Sequence, residues 1–314
     1  MPIVQYYGTI YALKFGKDFD TKQKYIFEGE RNMKKTSKIL AVVLVVALAI
    51  ATLAIFAACG ESGEVIGDCH YENPYSAGKY YGVKVGVTVK GGKIAEVKLY
   101  SDEDTGWTRT SAGEWSTGIG HDAAEAAYES WIEENIVGQK IATVLAWEAV
   151  ADKGGQTVGK DVPSITGATQ SSARIIVAVQ NALCELKSVS KVTGEAKYDS
   201  KYGTYGAKVD VIVMSGKIVN VRLYNEKETG WTRTSASWTE GQHEGDLGYA
   251  KTEAAYAEYL MNEIVGQKVK TVLSWEATAT ADAQTVGEDV PKIAGATQSS
   301  ARIICAVKNA LEQL

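Results

Sequence analysis

The stretch Thr166-Gly167-Ala168-Thr169-Gln170-Ser171-Ser172-Ala173-Arg174-Ile175-Ile176 returns 128 positions later as Ala294-Gly295-Ala296-Thr297-Gln298-Ser299-Ser300-Ala301-Arg302-Ile303-Ile304. Trp147-Glu148 and Trp275-Glu276 share that offset. Gly106-Trp107-Thr108-Arg109-Thr110-Ser111 and Gly230-Trp231-Thr232-Arg233-Thr234-Ser235 are 124 apart, so the second copy holds four more residues between Ser235 and Glu253. This period is far longer than a solenoid unit, so each copy is expected to be a domain with its own core. The copies are placed at 68–188 and 194–314, with a short linker over 188–193.

Each copy has a readable order of elements. Val83, Val85, Val87 and Val89 alternate, Gly91-Gly92 turns the chain, and Ala95, Val97 and Leu99 resume the alternation, which predicts a hairpin with one buried face. Val209, Val211 and Val213, then Ser215-Gly216, then Val219, Val221 and Leu223 repeat it. An alanine-rich helix is expected over 123–136, a short strand over 141–147 carrying Trp147 into the core, and an amphipathic helix over 171–186. Strands followed by segregated helices predict an α+β fold of two tandem homologous domains, each an antiparallel sheet built on a hairpin with packed helices.

The start of the last helix is where chemistry is expected. A small glycine-containing turn leads to Ser171-Ser172, read as N-cap residues, so free N–H groups and the positive helix end would face an anion. Arg174, one turn on, is expected to add a charge-assisted bond. An ordinary serine-capped helix with a surface arginine is the competing reading.

Thr166-Gly167-Ala168-Thr169 and Ala294-Gly295-Ala296-Thr297, each followed by Ser171-Ser172 or Ser299-Ser300 and an apolar helix, resemble the FMN-binding domain of subunits of sodium-translocating NADH:quinone oxidoreductase and of the Rnf complex. The resemblance implies a flavin transferase that uses FAD to join the FMN phosphate to the last threonine of the motif. That makes Thr169 and Thr297 the acceptors of two covalent FMN groups. Two departures stand out. Pro163 and Pro291 occupy the position where the family usually has Asp, and Ala294 replaces the Ser or Thr found three residues before the acceptor. Asp104-Thr105-Gly106-Trp107 and Glu228-Thr229-Gly230-Trp231 resemble the family's Glu-Thr-x-Gly loop, which implies that Trp107 and Trp231 flank the flavin ring.

The N-terminal region carries a separate expectation. Residues 39–58 contain no charge, Lys34, Lys35 and Lys38 precede them, and Ala57-Ala58-Cys59-Gly60 follows, which reads as a signal peptide over 33–58 with a lipobox. Cys59 would be lipidated and 59–67 would form a tether; an uncleaved anchor is the alternative. Residues 1–32 are read as a misassigned start, because Met33-Lys34-Lys35 is the usual opening of such a signal. With the lipobox, the arrangement is similar to the tandem-domain lipoproteins of Gram-positive extracellular electron transfer. That resemblance implies an electron carrier on the outer face of the membrane, with a membrane quinol or an NADH dehydrogenase chain as donor and a soluble acceptor such as ferric iron.

Other classes are less favoured. A net charge of −5 argues against nucleic acid. Gly118-Ile119-Gly120-His121 offers a glycine spacing that no strand precedes and the second copy lacks. His70, His121 and His243 occupy unrelated positions, and Cys69, Cys184 and Cys305 are too widely spaced to suggest a metal site or a disulfide framework. Cys184 and Cys305 are read as small core residues. A flavin reductase with its own substrate site lacks a fingerprint; a surface-binding module without flavin remains the alternative to an electron carrier.

Overall fold

The computed structural model describes residues 62–73, 76–110, 119–241, 245 and 247–314. Residues 1–61, including the charge-free run and Cys59, lie outside the described residues. In the first copy the chain runs β1 (Gly63–Glu72), β2 (Tyr80–Lys90), β3 (Lys93–Leu99), α1 (Asp102–Thr105), α2 (His121–Asn135), α3 (Ile141–Leu145), β4 (Ala149–Asp152), β5 (Gly155–Val158) and α4 (Thr169–Cys184). The second copy repeats it as β6 (Val189–Ser200), β7 (Gly203–Met214), β8 (Lys217–Leu223), α5 (Glu226–Thr229), α6 (Gly248–Tyr259), α7 (Val269–Leu273), β9 (Ala277–Ala279), β10 (Gln284–Val286) and α8 (Thr297–Leu311), with a π turn at Leu260–Ile264 extending α6. The α+β class is as expected.

Each domain has a three-stranded antiparallel meander, in the orders β1-β2-β3 and β6-β7-β8, and a small separate hairpin. Val83, Val85, Val87 and Val89 all face the core. The partner strand departs from the expected alternation. A bulge between Thr88 and Val89 shifts the register so that Ile94 opposes Val89, and Ile94 is buried while Ala95 is exposed. Ile212/Val213 and Ile218 repeat the device. The last helix lies across the first two strands of its sheet. It comes close because Gly67 and Gly194 lack a side chain: a Cβ on Gly67 would overlap the backbone of Ala178 and Ala182.

Three expected boundaries are corrected. Residues 141–145 are helix rather than strand; Ile141, Val144 and Leu145 are buried at the one-turn spacing, and so short an apolar run does not discriminate the two periods. Trp147 lies just beyond this helix, and both it and Trp275 are buried as expected. Strand β6 takes over most of the expected linker. Val189 is buried in the first core and Val192 packs on the second, so α4 hands the chain directly to the next sheet. The expected tether likewise gives way at Gly63 to strand β1, which pairs with β2.

The two domains pack on each other. Ile212, Met214 and Val219 of the second sheet join the first core. The Asn220 Nδ2 donates to the carbonyls of Leu145 (2.6 Å) and Trp147 (3.3 Å), and Arg222 pairs with Asp152 at 2.7 Å. Cys69 is buried with its Sγ donating to the Ala151 carbonyl, and burial pushes its thiol up to about 12. Cys184 and Cys305 are half-buried against the cores rather than inside them.

Candidate functional site

Gly167 (φ +78°) turns the chain into Ala168, the N-cap of α4, and Thr169 is the first helical residue. The first helical bond runs from the Ser172 N–H to the Ala168 carbonyl (3.0 Å), leaving the N–H groups of Thr169, Gln170 and Ser171 without a helical acceptor. Thr169 is exposed on this rim. Gly295 (φ +72°), Ala296 and Thr297 reproduce the arrangement at α8, with Ser300 N–H bonded to the Ala296 carbonyl at 3.0 Å.

The paired serines are not the caps. Ser171 and Ser172 are buried in the first turn. The Ser172 Oγ donates to the Ala168 carbonyl (3.1 Å) and accepts from the Ile165 N–H (2.8 Å), which ties the motif's turn to the helix. Ser300 does the same with Ala296 and Ile293. A serine suits this task because its single hydroxyl both donates and accepts at a fully buried position.

Arg174 also departs from expectation. It is only 4% exposed; its Nε donates to the Tyr71 hydroxyl (3.1 Å) and its Nη1 to the Arg109 carbonyl. In the second domain Arg302 reaches the Tyr198 hydroxyl (2.8 Å) and the Arg233 carbonyl (2.9 Å). An arginine in a helix that must pack against its sheet is drawn inward to acceptors that the tertiary fold supplies. It holds the tryptophan loop against the threonine helix instead of facing solvent.

That loop is built from its own residues. Ser101 caps α1 in a capping box with Asp104, Gly106 ends it in the left-handed region, and the Trp107 N–H donates to the Thr105 Oγ1 at 3.1 Å. Trp107 comes to rest over Gly82, where a Cβ would meet its ring at 2.9 Å, and stacks on His70 with centroids 4.3 Å apart. Asn225, Glu228, Gly230, Thr229 and Trp231 repeat the loop. Arg109 pairs with Glu125, and Thr110 is bonded to the Tyr128 hydroxyl; in the second domain Thr234, bonded to Tyr256, also reaches the Ser299 Oγ at 3.4 Å. Both sequence motifs of each copy therefore meet at one place.

Burial raises the Tyr128 hydroxyl above its ordinary value, so it stays protonated. Burial alone would raise Glu125 too, but bonds from Arg109 and Thr110 and the guanidinium charge outweigh it and hold the carboxyl low. Tyr71, Tyr128 and Glu125 were not singled out from sequence. Their recurrence as Tyr198, Tyr256 and Glu253 at matching places in the second copy is the signal that marks them.

At the second site part of the loop before α6 touches the glycine turn. Leu247 N–H reaches the Gly295 carbonyl at 3.4 Å, and a Cβ on Gly295 would overlap the Gly245 carbonyl, so the longer loop of this copy lies against the turn. A cavity of about 610 Å³ lies between the domains; neither threonine lines it, and most of its charged side chains are paired, Arg222 with Asp152, Arg233 with Glu253 and Lys191 with Asp210.

An exposed hydroxyl beside three N–H groups with no partner among the described residues, at the start of a long helix, fits a phosphate ester, since the N–H groups and helix dipole complement its charge. Among the described residues no helix is long and apolar enough to cross a membrane. A family model described as an FMN-binding domain matches residues 78–184 and again 203–312, the two copies of the repeat. Neither the curated proteins nor the solved structures give a match.

Proposed function

The chain belongs to the FMN-binding domain family, and from that we propose that each domain carries one FMN joined through its phosphate to Thr169 or Thr297, the pair passing electrons outside the cell. The observation that carries this reading is the exposed threonine at the first helical position of each copy, beside N–H groups without a helical acceptor. A flavin transferase would cleave the pyrophosphate of FAD, forming the bond from threonine oxygen to phosphorus, releasing AMP and giving up the hydroxyl proton. The Gly-Ala preceding each threonine leaves room for that approach. The flavin supplies one- and two-electron chemistry, and Trp107 and Trp231 give it a flat apolar neighbour.

Covalent attachment suits a carrier facing open solvent, where a dissociable cofactor is lost by dilution. The wider reading has Cys59 lipidated at the outer membrane face, a membrane quinol or NADH dehydrogenase chain as donor, and ferric iron or another soluble oxidant as acceptor. Nothing in this role calls for a substrate site of the chain's own. The departures at Pro163, Pro291 and Ala294 leave both acceptor threonines in place; Thr166 and Ala294 are exposed, so their difference bears on the transferase rather than on the fold.

The test is co-expression with a flavin transferase, then a denaturing gel under ultraviolet light and intact mass. Two FMN groups are expected on the wild-type chain and one on Thr169→Val or Thr297→Val, since valine keeps the shape and loses only the hydroxyl. Two flavins on either single variant would refute the assignment, and none on the wild type would leave a surface-binding module as the better reading.

A further inference from the structure

The two sites share a frame but not its charges. The β1–β2 pairing sets His70 opposite Gly82, and the β6–β7 pairing sets Lys197 opposite Gly206, so His70 and Lys197 hold the same place beneath the loop tryptophan. The His70 ring lies flat on Trp107, 4.3 Å between centroids. At the second site an ammonium takes over that contact, with Lys197 Nζ 4.5 Å from the Trp231 centroid.

A second replacement occurs on the short helix that leads into the loop. Glu103 is the middle acid of α1, whereas its counterpart in α5 is Lys227. Both are exposed. Neighbouring charges keep their sign: Asp68 matches Glu195, Asp104 matches Glu228, and Lys84 matches Lys208. Two independent substitutions around the same tryptophan therefore run in one direction, toward positive charge at the second site.

Reduction adds negative charge to a flavin, and a nearby cation stabilises that charge while an anion opposes it. We propose that the two flavins are inequivalent, the one on Thr297 having the higher reduction potential because Lys197 and Lys227 stand where the first site has His70 and Glu103. This rests on the covalent reading above. These four side chains act through the field around the tryptophan loop, as tuning rather than catalytic residues. Electron transfer from the reduced flavin on Thr169 to the oxidised flavin on Thr297, with protons exchanged with water, is then downhill, from the N-terminal to the C-terminal domain.

The experiment uses flavinylated full-length protein. Thr169→Val and Thr297→Val each isolate one flavin, mass confirms which threonine carries it, and spectroelectrochemical titration gives its midpoint. The midpoint with flavin on Thr297 is expected to be the more positive, and the separation to narrow as salt screens the exposed charges. In the Thr169→Val background, Lys197→His with Lys227→Glu shifts the midpoint negative. In the Thr297→Val background, His70→Lys with Glu103→Lys shifts it positive. These exchanges sit on partly or fully exposed side chains, and an unchanged far-ultraviolet spectrum checks the fold. Flavin present with equal or inverted midpoints, or exchanges that move neither, overturns this proposal alone. Absence of flavin mass on both threonines overturns it together with the covalent reading.

Discussion

Ser172 illustrates how a buried residue sets where Thr169 stands. Its hydroxyl, fully buried, bridges the Ile165 N–H and the Ala168 carbonyl on either side of the glycine turn. Ser172→Ala leaves the Ile165 N–H unsatisfied, at a cost of about 1–3 kcal/mol. Urea unfolding of the first domain should register that loss, together with slower flavinylation of Thr169. Glu125 adds a pH dependence of definite sign. Its carboxyl is held below the ordinary value in the folded state, so its contribution is present above the unfolded value and is lost as pH falls through the folded one. Stability of the first domain should therefore decline as pH drops below the ordinary carboxylate range. A Glu125→Gln protein, already lacking the ion pair with Arg109, should decline less steeply over the same interval.

At the scale of elements, the contact that defines each domain is helix on sheet at a glycine. Gly67 of β1 lies against the backbone of α4 at Ala178 and Ala182, as Gly194 of β6 does against α8 at Ala306 and Ala310. The facing alanines complete a small-residue seam that lets the backbones approach. Gly67→Val forces helix and strand apart; overpacking of a filled core costs about 1–3 kcal/mol, and backbone rather than a flexible side chain must move here. The variant should lose first-domain stability, with hydrogen exchange rising across β1 and α4 while α8 keeps its protection. The loop helices behave differently. α1 and α5 are one turn long and hold their shape through capping boxes and left-handed glycines, so their geometry is local and was written in Ser101-x-x-Asp104 and Asn225-x-x-Glu228.

For the whole molecule, the interface between the domains makes one unit of two repeats. Asn220, on the second sheet, donates to Leu145 and Trp147 carbonyls that end α3 in the first domain, and Ile212 joins the first core. Asn220→Leu leaves those carbonyls without this donor, although Trp147 keeps its bond from Gln180 at 2.8 Å. The expected result is first-domain stability lowered by about 1 kcal/mol through a residue of the second. Hydrogen exchange at α3 reports it, and unchanged protection there would mean that the domains are energetically independent. The counterpart face of the first sheet is more polar. The first sheet presents Thr88, Lys90 and Glu96 where the second has Ile212, Met214 and Asn220.

What the sequence determined by itself was everything carried by short-range pattern and by repetition: two α+β domains, the valine-lined hairpin face, the long terminal helix and the threonine at its start. Such features follow from periods of two or 3.6 residues and from the chemistry of adjacent side chains. Tertiary structure alone decided which buried polar groups found partners. Arg174 reaches Tyr71, 103 positions earlier, and Asn220 reaches Leu145 across the domain boundary. It also decided that residues 141–145 form a helix rather than a strand, because so short a segment lets neighbouring packing override local preference, and that Val189 opens a strand paired with the next one rather than a linker. A buried hydrogen-bonding group must be satisfied by whatever acceptor the fold brings near, and that acceptor is set by closure of the chain rather than by its local order.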